Sequence, residues 1–245
     1  MRKLFILLTI GAFIFSGCGN SGTQEKGVNE TENIEYNKEE ESLNNVSEEK
    51  IRSKPEEFSY GVSEEDDDCY TIESYLGEAE IIDIPDEYEG KKVVEIEKNA
   101  FAYSNIKEVS MGQNIKVIKD FAFTNCKSLA KVQFNSSLER IEDMAFSETA
   151  LIEIELPDSL KEIGVGVFCM SESIERVKFG IGKVSMEGQV FADDSSLKTV
   201  YINNDNVQFL ENNIFENCKD VTIIAAKGST SEQYAKKNNI NFQER

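Results

Sequence analysis

The 245-residue chain has no histidine and no tryptophan, and the missing imidazole removes whole classes of chemistry. A Ser-His-Asp triad, a Cys-His dyad and a His-ligated zinc or haem site cannot be built. Catalysis would have to rest on carboxylates, lysine, tyrosine, serine or cysteine. Carboxylates abound, with 46 Asp and Glu against 26 Lys and Arg. A glycosidase, however, needs two of them at a fixed separation across one bond, and nothing in the spacing selects such a pair. Gly164-Val165-Gly166 faintly resembles a phosphate loop but falls inside a regular repeat and reads as a turn. The five cysteines show no metal-ligand spacing and no redox Cys-x-x-Cys. The expectation is a protein that is not an enzyme, with no cofactor, no metal and no catalytic residue. The formal charge of −20 argues against nucleic acid, which requires a basic face.

One cysteine has a chemistry of its own. Arg2 and Lys3 precede an apolar run from Leu4 to Phe15, and Phe15-Ser16-Gly17-Cys18 follows. The run has the length of a signal-peptide core and falls short of the ~20 residues of a membrane span. The segment resembles a bacterial lipobox, with Phe15 where leucine is usual. By that resemblance residues 1–17 are a lipoprotein signal peptide and Cys18 carries the lipid. The protein is then extracytoplasmic, anchored to the bacterial cell membrane by its N-terminal lipid and exposed at the surface.

Residues 19–68 carry 16 acidic and five basic side chains, with few and non-periodic large apolar residues (Ile34, Leu43, Ile51, Phe58). Such a stretch cannot bury enough surface to offset chain entropy. Residues 18–68 therefore read as a disordered acidic tether. Its Glu64–Asp68 cluster lacks the alternating ligands and the glycine of a calcium loop.

The remainder, residues 69–245, is a repeat. Phe101, Phe123, Phe146, Phe168, Phe191 and Phe215 recur at intervals of 22 to 24 residues. An apolar residue lies five positions before each, at Ile96, Ile118, Ile141, Ile163, Met186 and Leu210. Another lies five or six positions after, at Ile106, Leu129, Leu151, Ile174, Leu197 and Val221. Short alternating runs follow, such as Val132-Gln133-Phe134 and Val177-Lys178-Phe179, and read as strands. A strand every ~23 residues with no room for a long helix implies a solenoid of about six coils, each stacked ~4.8 Å from the last. Cys126 and Cys218 share the position three after their phenylalanine. Four coils separate them by roughly 19 Å, too far for a disulfide, and they read as small core residues.

Several motifs resemble the BspA-type leucine-rich repeat family. Among them are Val117-Ile118 through Ala122-Phe123, Cys126, Leu129 and Val132, and Ile141 through Ala145-Phe146, Ile154, Leu156 and Pro157. Tyr75-Leu76-Gly77, Ile84-Pro85 and Gly90 to Val93 resemble that family's N-terminal cap, and Gly228-Ser229, Tyr234-Ala235 and Ile240 to Phe242 its C-terminal segment. Residues 231–238 are expected to form a short closing helix. The resemblance implies a β-rich solenoid of short parallel strands and a surface protein, often adhesive.

Two columns of strand residues point outward: Glu108, Lys131, Glu153, Arg176, Thr199, and Ser110, Gln133, Glu155, Lys178, Tyr201. The first alternates in sign from coil to coil, which reads as an electrostatic ladder. The same face suits recognition, because solenoids present extended surfaces and Arg and Tyr are enriched at binding hot spots. The candidate binding face is Lys131, Glu153, Arg176, Lys178 and Tyr201. The expected partner is a protein or glycan and the expected state a monomer. The alternatives are a passive envelope spacer and, more weakly, a carboxylate-based hydrolase.

Overall fold

The computed structural model describes residues 52–64, 66–203 and 207–245. The signal peptide at 1–17, the lipidation site Cys18 and the tether as far as residue 51 lie outside the described residues. The boundary expected at residue 69 is corrected. A 3₁₀ turn at Pro55–Glu57 leads into β1 (Phe58–Val62), which runs antiparallel to β2 (Tyr70–Tyr75). The acidic composition concealed an alternating Phe58-Ser59-Tyr60 run. Phe58 is buried, with its ring 5.3 Å from Tyr75 and 6.2 Å from Phe101.

After β2 come β3 (Ile81–Asp83), β4 (Glu87–Tyr88) and β5 (Lys91–Ile96). Each following coil then adds two short strands. They are β6 (Glu108–Ser110) and β7 (Val117–Ile118), β8 (Lys131–Gln133) and β9 (Arg140–Ile141), β10 (Glu153–Glu155) and β11 (Glu162–Ile163). β12 (Arg176–Phe179) and β13 (Val184–Met186), then β14 (Thr199–Ile202) and β15 (Val207–Phe209), continue the series. β16 (Thr222–Ala225), helix α1 (Thr230–Lys237) and β17 (Asn241–Glu244) complete it. The fold is a β-solenoid of about seven turns, mostly parallel, with one short C-terminal helix. The count exceeds six because β2 and β3 form a first turn in which Tyr75, stacked 5.8 Å from Phe101, stands in for the phenylalanine.

The core is columnar. The six phenylalanine rings stack 4.7 to 5.7 Å apart with interplanar angles no larger than 16°. That distance is close to the strand spacing of a sheet, so the coil rise sets it. Ile96, Ile118, Ile141, Ile163 and Met186 form a second buried column, and Ile106, Leu129, Leu151, Ile174 and Leu197 a third. The chain turns tightly around each ring. In the coils from Phe101 to Phe191 the residues two before and two after the phenylalanine both have positive φ, as at Met144 (54°) and Glu148 (55°). The left-handed conformation costs a non-glycine residue about 1–2 kcal/mol. It aims the N–H groups along the solenoid: Phe146 N–H donates to Val167 O at 2.8 Å and Glu148 N–H to Cys169 O at 3.0 Å.

α1 begins where expected, within a residue. Ser229 is its N-cap, and its Oγ accepts from Glu232 N–H at 3.2 Å. Tyr234 and Ala235 bury the inner side of the helix against the last coil.

Candidate binding face

Outward strand residues come from two separate sheets. β3, β6 and β8 form one, while β10, β12, β14, β16 and β17 form the other. A nine-stranded sheet on another side of the coils runs unbroken past this division. In it β9 and β11 pair in the register Arg140↔Glu162 and Ile141↔Ile163.

All five candidate residues lie on the strand faces. Lys131 stands on β8, and Glu153, Arg176, Lys178 and Tyr201 stand on β10, β12 and β14. The parallel register places Glu153 beside Arg176, Glu155 beside Lys178, and Lys178 beside Tyr201. Arg176 donates to Glu153, and Lys178 Nζ lies 3.4 Å from Glu155 Oε1. The hydrogen bond and the charge of Glu153 hold the Arg176 guanidinium above its already high range. Lys131 Nζ lies 4.0 Å from Glu108 Oε2. Tyr201, 39% exposed, is the large apolar surface on this side of the second sheet.

The expected unbroken ladder is corrected at one step. β8 pairs with β6 but not with β10, and no ion pair joins Lys131 to Glu153 among the described residues. Elsewhere Met111 N–H donates to Gln133 O and Leu156 N–H to Lys178 O, whereas Phe134 N–H makes no such bond to β10. The opening coincides with a shortened coil. Two residues separate Cys126 from Leu129, but only Ala150 separates Thr149 from Leu151. Ala150 N–H bonds Leu129 O at 3.1 Å at this point, and β10 does not pair with β8. A cavity of about 810 Å³ lies there, walled by Val132, Phe134, Ile152, Leu156 and Pro157, with Lys131 and Glu153 at its rim. Val132 is only half-buried, while Val109, Val177 and Val200 in the same column are buried. Sequence reasoning missed this cavity; the 22-residue step from Val132 to Ile154, against 23 on either side, is its signal.

Small polar groups follow another column, three residues after each phenylalanine: Ser104, Cys126, Thr149, Ser171, Asp194 and Cys218, of which all but Ser104 and Cys218 are buried. Cys126 Sγ donates to Phe101 O at 3.1 Å, and Cys218 Sγ to Phe191 O at 2.9 Å. Cys126 is buried as expected, whereas Cys218 is only half-buried, and the four described cysteines are free thiols. Burial pushes Cys169 and Cys218 up to about 11, so neither supplies a thiolate at neutral pH. Asp194 accepts from Ser171 N–H at 2.7 Å, and its other oxygen has no partner. Burial is the largest influence on this carboxyl. It outweighs the Ser171 bond and, with the charge of Asp193, pushes the group up to about 9. Asp194 is therefore a neutral acid inside the stack. The acidic turn at the N-terminal end is likewise committed to structure: Glu64 bonds Lys119 at 2.8 Å and Asp66 Oδ1 accepts from Asp68 N–H.

The profile of the BspA type leucine-rich repeat region matches residues 94–222 in six copies. The chain belongs to this family. It is a family of bacterial, surface-type leucine-rich repeat proteins that are typically non-enzymatic. Among solved structures, the leucine-rich repeat protein of T. pallidum superposes with a TM-score of 0.61 at 21% identity, covering 78% of this chain and 98% of that one. The pneumococcal vaccine antigen PcpA gives a TM-score of 0.61 at 24% identity over 72% of this chain. The chain spans 50% of the length of PcpA. No curated protein matches the chain. Among the described residues no helix is long and apolar enough to cross a membrane.

Proposed function

We propose that the protein is a lipid-anchored surface module whose strand face binds a protein or glycan partner. The observation that carries this reading is the opening between β8 and β10. It places an apolar cavity in the middle of a charged face, with Lys131 and Glu153 on opposite rims. An apolar anchor ringed by polar groups is the arrangement that concentrates binding energy. The acidic groups of the face support binding over hydrolysis, since Glu108, Glu153 and Glu155 each face a cation. In this reading Cys18 carries the lipid and the acidic segment between it and Arg52 is the tether.

A photo-cross-linker at Ile152, which is 46% exposed, tests the face against extracts of the producing cell's envelope and of host surface material. A saturable adduct lost in the Arg176→Ala/Tyr201→Ala double variant is the expected result. An adduct indifferent to that variant removes the face from the function. The paired charges also favour a second reading, a passive spacer whose ladder is purely structural; a folded bait that captures nothing from either extract selects it. Metabolic labelling with a palmitate analogue tests the anchor: label is expected on the natural protein and absent from Cys18→Ser.

A further inference from the structure

We infer that the C-terminal end of the solenoid holds a saccharide-binding pocket, independent of the strand face. In each coil from Phe101 to Phe191, the N–H of the phenylalanine donates to a carbonyl of the next coil. So does the N–H two residues later, as from Met170 to Ala192 and from Asp193 to Glu216. Among the described residues the coil of Phe215 is followed by α1 and β17 rather than by another coil. Phe215 N–H and Asn217 N–H make no such bond among the described residues, while α1 packs on β15, β16 and β17. A cavity of about 420 Å³ remains between the last coil and the chain leading into β17.

Asn212, Asn213, Asn239 and Asn241 line it, over a floor that includes Phe215 and Ile240. These four carboxamide side chains have no hydrogen-bond partner among the described residues, whereas Asn238, also lining the cavity, donates to Tyr234 O. A carboxamide offers a donor and an acceptor without charge. Sugar hydroxyls have the same dual character, and the apolar face of a pyranose suits the floor. Phe215 lines the cavity, and its N–H adds a donor for a hydroxyl or acetamido oxygen. Glu216 and Lys219 contribute one charge of each sign, so the site has no net preference for an ion. The volume falls within the usual range for small-ligand pockets, roughly 300–1,000 Å³.

Titration of the ¹⁵N-labelled full-length protein with N,N′-diacetylchitobiose and with lactose tests the assignment. Saturable shifts of the Phe215 and Lys219 amide signals are expected, with a dissociation constant on the order of 1 mM. Asn213→Ala/Asn241→Ala should weaken binding at least tenfold. Both side chains are exposed, so the variant should keep its native spectrum elsewhere. Asn239 is left alone because its φ of 56° would strain alanine. Absence of shifts with both sugars, or shifts unaffected by the double variant, would overturn the proposal. Shifts of the same amides with protein concentration alone would also overturn it, and would mean that a second copy covers this end.

Discussion

At its N-terminal end the solenoid folds its sheet edge back on itself. β1 runs antiparallel along β2, Phe58 lies over the first rings of the aromatic column, and Lys119 ties the hairpin down through Glu64. Among the described residues the aromatic stack ends at Phe215. Tyr234 meets Phe215 edge-on at 6.2 Å, β17 continues the parallel sheet, and a polar cavity remains beside them. Phe215 is accordingly 7% exposed, whereas Phe123, Phe146, Phe168 and Phe191 are fully buried. Nearest-neighbour stacking stabilises interior coils on both sides and terminal coils on one, so each terminus needs its own chemistry. One terminus closes with ion pairs and aromatic rings; the other leaves backbone donors available.

The largest effect should come from the interior, which both ends depend on. Phe146→Ala removes a ring stacked on both sides and is expected to cost about 3–5 kcal/mol in denaturant unfolding. Phe215→Ala, stacked on one side only, should cost less; equal costs would erase the distinction between interior and end.

A smaller effect should isolate the N-terminal closure. Lys119 is 12% exposed and bonds Glu64 and Glu97 at 2.8 and 2.6 Å, with Glu95, 1% exposed, at 4.0 Å. Burial alone would lower the ammonium, but the bonds to Glu64 and Glu97 and the charge of Glu95 hold it above the usual lysine range. Lys119→Ala leaves Glu95 without its countercharge and is expected to cost about 2–4 kcal/mol. Hydrogen exchange should show β1 amides losing protection first, with β14 and β16 unchanged.

The smallest effect should mark the other half of the molecule. The unfolded chain releases the Asp194 proton near pH 3.8 and the native protein near 9. Between these values the unfolded state binds fewer protons, so stability falls as pH rises. A decline of about 2–3 kcal/mol from pH 6 to 8 is expected. Asp194→Asn should flatten that profile; an unchanged slope would place the pH sensitivity elsewhere.

The period of the fold was legible because stacking forces one residue type into each column. Phe101 through Phe215, the aliphatic columns and the outward strand residues all follow from register alone. What escaped lies where register breaks. Phe58 sits in an acidic segment whose average composition hides a two-residue alternation. The cavity beside Val132 lies where the step between strand residues drops from 23 to 22, between Val132 and Ile154. That change is too small to disturb the pattern, yet it falls where β8 and β10 do not pair. Asp194 occupies a column position otherwise filled by serine, threonine and cysteine, and only burial reveals that it is uncharged.

The opening between β8 and β10 also has a mechanical meaning. On that side the coils share no ladder, while β9 and β11 remain joined on another and Phe146 remains stacked on Phe168 at 5.7 Å. The arrangement is that of a book, bound along one edge and free along the other. Bending concentrates where the free edge offers least resistance, so the pages open at Val132 and Ile154 while the spine holds.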